Sequence, residues 1–256
     1  MAEDEKLKVI VTGASSGIGR AAAELFLKNG HHVALVARRQ KNLVNIVEWS
    51  KAHTGRAFPI VADLSSKEGR ELAIAEAVKS LGQVDVLVNS AGIIRSGKLA
   101  DTSLESWNEM LEINLTSVFD MMRLCLPHLE KSKGNVVNIS SVTGLRSFPG
   151  ILSYSVAKAG IDQLTRCAAL EWAPLGIRVN AVNPGVVVTE LHRTGGMSED
   201  AYTAFLEHCK LTHPLGRAGE ASEVAEAIYF LSSKRSAWTT GVTLSLDGGR
   251  ALTCAR

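Results

Sequence analysis

Short apolar segments alternate with longer helical patterns along nearly the whole chain, and this alternation restricts the fold more than any other feature. The apolar segments are rich in valine, isoleucine and leucine, as is typical of strands covered on both sheet faces. They lie at 8–12, 32–37, 57–62, 84–89, 135–140, 177–182 and 242–247. Helical patterns lie between them at 17–29, 39–53, 67–81, 104–130, 153–173 and 221–233. The alternation predicts an α/β fold with a doubly wound, parallel, seven-stranded sheet and helices on both faces.

Length and composition set the class of protein. The chain has 256 residues, 46% hydrophobic and 21% charged, which suits one domain with a sizeable core. A formal net charge of +2 argues against nucleic acid or membrane partners, and no apolar run reaches the length of a membrane span. The four cysteines show neither metal-ligand spacing nor a C-x-x-C pair. With no targeting signal at either end, a soluble cytoplasmic protein is expected, without metal.

A glycine-rich loop, TGASSGIGR, follows the first strand directly. Glycines there permit a tight turn and let a pyrophosphate approach the N–H groups at the start of a helix. The spacing differs from G-x-G-x-x-G but keeps the same strand–loop–helix context. The loop predicts a dinucleotide site, with a plain strand-to-helix turn as the alternative. Its candidate residues are Gly13, Ser15, Ser16, Gly17, Ile18 and Gly19.

The end of the second strand indicates which nicotinamide cofactor fits. An acid at this position hydrogen-bonds the ribose of NAD, but here Ala37 is followed by Arg38 and Arg39. A guanidinium binds a 2′-phosphate through charge-assisted hydrogen bonds, whereas a carboxylate repels it. NADP(H) is therefore predicted over NAD(H). The alternative is that both arginines are solvated charges at the start of a helix.

The third and fourth strands also end in candidate cofactor residues. Asp63 and Leu64 follow the third strand, near the expected adenine, although an acid before a helix also stabilises that helix. The fourth strand ends in NSAG, where small residues leave room for adenosine and its ribose. Asn89, Ala91 and Gly92 are the candidates there, and Asn89 is also placed to bridge neighbouring strand ends.

Tyr154 and Lys158 lie four residues apart in the helical pattern ILSYSVAKAG. Residues at this spacing share one face of a helix. By itself, the pair is compatible both with buried packing and with acid/base chemistry.

Together these segments resemble the short-chain dehydrogenase/reductase family. The similarity is carried by TGASSGIG, NSAG, the asparagine of INLTSV, the serine of ISSVTG, YSVAK and NPGVVVT, in this order. It implies a single-domain Rossmann fold over residues 1–256 that transfers a hydride to or from a nicotinamide. The length and the DGG ending resemble 3-oxoacyl reductases and hydroxysteroid dehydrogenases. Ser90 stands where the family has a second asparagine, at a stabilising rather than a catalytic position.

The resemblance implies a catalytic tetrad of Asn114, Ser141, Tyr154 and Lys158. Tyr154 is the expected acid or base, because a nearby ammonium and an oxidised nicotinamide favour phenolate and lower a pKa that is ordinarily about 10. Lys158 is expected also to bind the nicotinamide ribose. The family's serine lies thirteen positions before its tyrosine, which selects Ser141 over Ser140. Asn114 is expected to hold a water that relays protons through the lysine.

Taken singly, these residues have structural alternatives. Ser141 is compatible with a strand-end turn, Asn114 with a helix kink and Lys158 with a solvated charge. The combination with the glycine loop favours the catalytic interpretation.

The segment after the sixth strand is expected to complete the site. By resemblance, Pro184 and Gly185 turn the chain past the nicotinamide, while Val187 and Thr189 contact its carboxamide or the pyrophosphate. A plain Asn-Pro-Gly turn is the alternative. Residues at about 189–215 are expected to form a substrate lid. The candidate lining residues are Leu191, His192, Arg193, Met197, Phe205 and Leu206. His192 and Arg193 are candidates to meet a substrate carboxylate or phosphate, with lid surface charge as the alternative.

The expected activity is NADP(H)-dependent hydride transfer between nicotinamide and a carbonyl or secondary alcohol, with a lipophilic ketone or 3-oxoacyl compound as substrate. The alternatives are a non-catalytic NADP(H) sensor and an NAD-preferring alcohol or hydroxysteroid dehydrogenase. A reductase of carrier-bound acyl chains is less favoured, because its two surface arginines align with Ser132 and Leu175. The helices at 104–130 and 153–173 resemble the family's bundle interface, so a homotetramer is expected.

Overall fold

The computed structural model describes residues 6–253. The charged residues at the N-terminus before residue 6, and the C-terminal residues that include Cys254, lie outside this range. The strands are β1 Lys8–Thr12, β2 His32–Ala37, β3 Arg56–Val61, β4 Val86–Asn89, β5 Asn135–Ile139, β6 Arg178–Pro184, β7 Val187–Val188, β8 Gly219–Glu220 and β9 Thr243–Leu246. The α-helices are α1 Gly17–Lys28, α2 Gln40–Ser50, α3 Lys67–Leu81, α4 Leu104–Leu111, α5 Ser117–Ser132, α6 Val142–Leu145, α7 Leu152–Trp172, α8 Leu191–Thr194, α9 Glu199–Thr212 and α10 Ala221–Ser232.

Seven strands form one sheet in the order β3-β2-β1-β4-β5-β6-β9, and every neighbouring pair is parallel. This confirms the doubly wound, single-domain Rossmann fold predicted from the sequence. The chain order reverses between β1 and β4, so the ends of these strands open a crevice at the carboxyl edge of the sheet. The predicted cofactor residues follow the strands that border this crevice.

Alternate residues of each strand pack into two separate apolar layers, since successive side chains point to opposite faces of a sheet. In β1, Ile10 packs in the layer formed with α3, α5 and α7. Val9 and Val11 pack in the layer formed with α1, α2 and α10. All three side chains are fully buried. The sheet is thereby held from both sides, which gives the strand ends a fixed position.

The predicted single helix at 104–130 is wrong in one respect. The α-helical pattern is interrupted by a π-helix, Glu112–Thr116, between α4 and α5. Within this π-helix, Asn114 is the buried residue. Such π-helical turns occur frequently at functional sites.

The segment predicted as a lid contains the two helices α8 and α9, and a short parallel pair of strands, β7 and β8, flanks them. Across residues 6–253, no helix combines the length and the apolar character needed to cross a membrane. In the same range, no group of three or more histidine, cysteine or acidic residues is arranged to hold a metal ion. Cys125, Cys167 and Cys209 are free thiols.

Candidate active site

A cleft of about 430 Å³ lies at the carboxyl edge of the sheet. It brings together all of the predicted cofactor and catalytic residues except Asn89. These lining residues are Gly13, Ser15, Ser16, Gly17, Ile18, Gly19, Arg38, Arg39, Asp63, Leu64, Ala91, Gly92, Asn114, Ser141, Tyr154, Lys158, Pro184, Gly185, Val187 and Thr189.

The glycine loop has the geometry that a dinucleotide needs. Gly13 has φ +65°, and a Cβ at this position would lie 2.8 Å from backbone atoms of Ala91. A side chain there is therefore excluded both by backbone conformation and by contact with the β4 end. The N-cap residue of α1, Ser16, makes no side-chain capping bond. The N–H groups of the first turn of α1 are thus available to an anion, which fits a pyrophosphate.

The two arginines after β2 occupy different positions. Arg39 lies across the glycine loop: its Nη2 donates to Ser15 Oγ at 3.2 Å and to Ser16 Oγ at 2.6 Å, and its Nη1 donates to Glu190 Oε2 at 3.1 Å. Arg38 is exposed at the rim of the cleft. Arg39 is thus already directed to the loop where a 2′-phosphate is expected, and Glu190 is a partner that the sequence did not reveal.

The β4 end is ordered by β1. The hydroxyl Oγ1 of Thr12 accepts the N–H groups of Ser90 and Ala91 at 3.0 and 3.1 Å. Residue 90 is held through its backbone N–H, so a serine in place of the family's asparagine keeps the hydrogen bond to Thr12. Asn89 is buried and donates through Nδ2 to Asn138 Oδ1 at 2.9 Å, which bridges β4 and β5. Its predicted bridging is confirmed, but its side chain does not line the cleft.

The side chain of Asp63 stabilises the turn that leads into α3. Its carboxylate accepts both the N–H and the hydroxyl of Ser65, at 3.0 and 2.9 Å. The backbone hydrogen bond from Ser65 is the main reason that the pKa of Asp63 lies below its usual value. The residue nevertheless lines the cleft, beside Leu64.

Tyr154 is 8% exposed, and its phenol faces the cleft. Burial raises its pKa to about 12, and the Ser141 hydroxyl, close enough for a hydrogen bond, offsets part of this rise. The protein's own groups therefore do not lower this pKa overall as expected, because the effect of burial dominates. Lys158 Nζ lies 5.5 Å from the ring centroid and donates instead to the carbonyl of Ile139 at 2.7 Å. Tyr154 is therefore a neutral phenol at neutral pH.

Lys158 is buried beside a carboxylate that the sequence did not single out. Burial lowers its pKa to about 8, while the negative charge of Asp162 acts in the opposite direction. Asp162 is 2% exposed and accepts from Asn183 Nδ2 at 2.9 and 3.0 Å. Burial also raises the pKa of Asp162. The helical spacing i, i+4 from Lys158 is the signal that could have revealed it.

The two adjacent serines after β5 have separate tasks. Ser140 Oγ donates to the carbonyl of Lys158 at 3.0 Å, which holds α7 against the strand end. Ser141 Oγ accepts the N–H of Thr143 at 3.1 Å at the start of α6 and lies beside the phenol of Tyr154. The selection of Ser141 over Ser140 agrees with this arrangement.

Asn114 connects the π-helix to the β4 loop. Its Oδ1 accepts the N–H of Ile93 at 3.1 Å, and its Nδ2 donates to the carbonyl of Met110 at 3.0 Å. A Cβ on Gly92 would lie 2.7 Å from Asn114 Oδ1 and 3.8 Å from Lys158 Nζ. The interruption of the helix thus brings Asn114 to the cleft, and its role in relaying protons stays a prediction.

A second cavity, of about 760 Å³, adjoins the cleft and shares Ser141 with it. Of the predicted lid residues, His192, Met197 and Phe205 line this cavity, and Leu191 lines the cleft. Arg193 does neither: it pairs with Glu199 at 2.7 Å and lies over the Tyr202 ring. Leu206 lines neither cavity. Arg250, in the turn after β9, lines the second cavity and was missed, because nothing near it in sequence marks it.

A glycine loop, a buried tyrosine–lysine pair and an adjoining apolar cavity at the edge of a parallel sheet are the features of a dinucleotide-dependent oxidoreductase. A sequence model of the family described as enoyl-(acyl carrier protein) reductase matches residues 13–251. The 3-oxoacyl-[acyl-carrier-protein] reductase of Thermotoga maritima is 36% identical over 241 residues, 94% of this chain and 96% of the relative. Glucose 1-dehydrogenase of Gluconobacter oxydans is 37% identical over 248 residues, 96% of this chain and 92% of the relative.

Solved structures agree with these relatives. A short-chain dehydrogenase/reductase of unknown function from Caenorhabditis elegans, determined with its cofactor, superposes with a TM-score of 0.92 at 33% identity, covering 99% of this chain and 98% of that one. The aldohexose dehydrogenase of Thermoplasma acidophilum gives 0.86 at 30% identity, covering 99% and 97%. The chain belongs to the short-chain dehydrogenase/reductase family, whose members are oxidoreductases with a nicotinamide cofactor.

Proposed function

We propose that this protein is an NADP(H)-dependent carbonyl reductase that uses Tyr154 as its proton donor. The observation that carries the proposal is the buried, neutral phenol of Tyr154. It lies beside Ser141 and one helical turn from Lys158, where the glycine-loop cleft meets the second cavity. A non-catalytic sensor has no need for a buried acid at the junction of the two cavities.

The glycine loop and the first turn of α1 would hold the pyrophosphate, and Lys158 would hold the nicotinamide ribose. When bound, NADPH supplies the hydride that the substrate carbonyl carbon receives. The chain's own residues have to place that carbonyl and provide a proton. The Ser141 hydroxyl orients the carbonyl oxygen, and the hydroxyl of Tyr154 donates the proton as negative charge develops on that oxygen.

The phenolate left on Tyr154 after proton donation needs a nearby positive charge. Lys158 provides it, since its ammonium lies one helical turn away and Asp162 supports its charged form. A tyrosine with its pKa raised to about 12 begins each turnover protonated. It is therefore ready to donate a proton in the reductive direction.

The preference for NADP(H) over NAD(H) is supported by Arg39, whose guanidinium lies on the hydroxyls of Ser15 and Ser16. No acid replaces it at the end of β2, where Ala37 is buried. An NAD-preferring dehydrogenase would have a carboxylate for the ribose diol at this strand end.

A carbonyl compound with an apolar body is the substrate class that the second cavity favours, because its wall includes Ile94, Val142, Phe148, Met197 and Phe205. Two relatives act on different substrates, since one is named a 3-oxoacyl-[acyl-carrier-protein] reductase and the other a glucose 1-dehydrogenase. Of these two, the 3-oxoacyl compound has the apolar body that the second cavity favours.

We also propose a homotetramer, for which α5 and α7 provide the surface. Phe119 on α5 is 49% exposed, and Val156 and Leu170 on α7 are 41% and 80% exposed. Apolar groups of this size on two neighbouring helices are typical of an interface. Light scattering at micromolar concentration tests it, and a monomer would refute it.

The activity itself is tested by Tyr154→Phe. Loss of the phenolic hydroxyl should lower kcat by about 10²- to 10⁴-fold, measured as absorbance loss of NADPH with a panel of ketones, aldehydes and 3-oxoacyl thioesters. NADPH affinity, measured by fluorescence titration, should stay within about twofold, as the variant removes only one hydroxyl. Tyr229→Phe is the matched control, because Tyr229 packs on Phe26 away from the cleft. Normal turnover by Tyr154→Phe would show that another group donates the proton.

A further inference from the structure

The second cavity is lined by cationic side chains without a carboxylate among them. Its described lining residues include Arg95, His192 and Arg250, and no aspartate or glutamate. An apolar cavity with a net positive wall is suited to a ligand that carries both an apolar body and a negative charge. Which of the three groups supplies the charge can be decided from their contacts.

Arg95 and His192 do not supply a free positive charge to the second cavity. Arg95 forms a two-fold contact with Glu109, with Nε and Nη2 each 2.9 Å from a carboxylate oxygen, so its charge is balanced at the rim. The ring of His192 lies 4.8 Å from that of Phe205, and burial lowers its pKa, so it is neutral at neutral pH. Arg250 remains as the cation of this cavity.

The backbone that carries Arg250 is held from two sides. The carboxylate of Asp247 accepts the N–H groups of Gly249 and Ala251 at 3.0 and 2.7 Å. Arg146 Nη1 donates to the carbonyls of Arg250 and Ala251 at 3.3 and 3.1 Å. These hydrogen bonds fix the position of the turn, although it belongs to no long helix or strand.

The guanidinium of Arg250 lies over the ring of Phe148 at 4.8 Å, and both side chains line the cavity. None of the ion pairs formed among residues 6–253 involves Arg250. Arg250 is half-buried, and this burial lowers its pKa, while the negative charge of Asp247 acts in the opposite direction. A desolvated guanidinium of this kind binds an anion more strongly than an exposed one does.

We propose that the substrate is an oxo acid, whose carboxylate binds Arg250 while its carbonyl lies between Ser141 and Tyr154. The inference rests on the proposed reductase function and names the substrate class of the same site. One planar guanidinium matches one carboxylate through two parallel hydrogen bonds. Phe148 keeps the guanidinium in place, and the apolar wall receives the carbon chain between the two ends.

The first experiment compares acids with their esters. Medium-chain oxo acids and the corresponding methyl esters are assayed with NADPH, using the wild type, Arg250→Gln, Arg250→Lys and Arg235→Gln. The ester keeps the shape of the acid and lacks its charge. Arg250→Gln should lower kcat/KM for the acid by about 10- to 100-fold, the range for a lost charged hydrogen bond, and leave the ester within about threefold. Arg250→Lys should retain part of the preference, because it keeps the charge and loses the paired geometry.

Arg235→Gln is the matched control, since Arg235 also lies over a phenyl ring, that of Phe230, and lines neither cavity. It should behave as the wild type with both substrates. Equal losses of acid and ester activity in Arg250→Gln, or no preference for the acid in the wild type, would overturn the proposal. Far-ultraviolet circular dichroism shows whether each variant is folded. If Arg250→Gln does not fold, the comparison of acid and ester is made with Arg250→Lys.

A binding measurement separates this proposal from the proposed function. Octanoate and octanamide cannot be reduced at their chain ends by this chemistry, and their binding to the NADP-loaded protein is followed by calorimetry. Octanoate should bind about tenfold more tightly than octanamide, and Arg250→Gln should remove that difference. Equal binding in the wild type would overturn the carboxylate site. An Arg250-dependent preference in a protein that reduces neither oxo acids nor any other carbonyl compound of the panel would support the site and reject the reductase function.

Discussion

The two halves of the active-site region are built in different ways. The cofactor half consists of strand ends and the glycine loop, where backbone conformation and buried side chains such as Thr12 and Asn89 fix each position. The proposed substrate half consists of α8, α9 and the turn that carries Arg250. Tyr202 of α9 donates to the carbonyl of Thr189, and Arg146 donates to the carbonyls of Arg250 and Ala251. Contacts between distant residues hold both halves, but only the first half also carries local sequence patterns by which it can be recognised.

The largest expected effect concerns the backbone of the cofactor half. Gly13→Ala places a Cβ at φ +65° and 2.8 Å from Ala91, so the loop has to move away from the β4 end. The left-handed conformation and the overlap together should weaken NADPH binding by about 100-fold, measured by fluorescence titration.

The matched control is Gly82→Ala, at the C-terminal end of α3. Gly82 has φ +74°, and a Cβ there would meet no atom within 4 Å. It should lose about 1 kcal/mol of stability in a denaturant titration and keep its NADPH affinity. Equal loss of NADPH affinity in both variants would show that the close approach at Gly13 has no role in binding.

The next effect distinguishes the two arginines. Arg39→Gln removes the guanidinium that lies on Ser15 and Ser16, and should weaken NADPH binding by about tenfold while NADH binding stays unchanged. Both arginines are exposed, but of the two only Arg39 donates to Ser15 and Ser16 within residues 6–253, so Arg38→Gln should have a smaller effect. Both affinities are measured by fluorescence titration. Equal affinities for NADPH and NADH in the wild type would contradict the cofactor assignment.

The smallest expected effect is a shift in pH dependence. The negative charge of Asp162 favours the ammonium of Lys158, so Asp162→Asn should move the pKa of Lys158 further below about 8. Because reduction needs the ammonium to stabilise the developing phenolate, activity is present below this pKa and lost as pH rises through it. The alkaline limb of the kcat profile should therefore move to lower pH by about one unit. Asp200→Asn, on the exposed face of α9, should leave the profile in place.

Much of the fold was predictable, for an identifiable reason. The strands β1 and β2 contain the uninterrupted apolar segments VIV and VALVA, whereas β5 and β6 combine valine, isoleucine and alanine with buried asparagines. Apolar segments of this kind are typical of strands that are buried on both faces. Gly13, Tyr154 and Lys158 were recognisable because the chemistry depends on residue type and spacing within a few positions.

The remaining features depend on contacts that spacing does not show. Asp162 becomes informative only when Asn183, on a strand twenty-one residues away, is seen to donate to it. The raised pKa of Tyr154 follows from burial, which a sequence does not display. Arg250 lines the second cavity in contact with Phe148, about a hundred residues earlier in the chain.

The π-helix at Glu112–Thr116 has a consequence for how this part of the chain tolerates change in length. A π-helical turn holds one more residue than an α-helical turn, and each α-helical residue turns the helix by about 100°. Deleting one residue here would let α4 and α5 join as a single regular helix. Every side chain on one side of the junction would then rotate by about 100° relative to the other side. Either Met121 and Cys125 would leave the core or Asn114 would leave the cleft. A continuous α-helix here would therefore lose either the core packing of α5 or the position of Asn114.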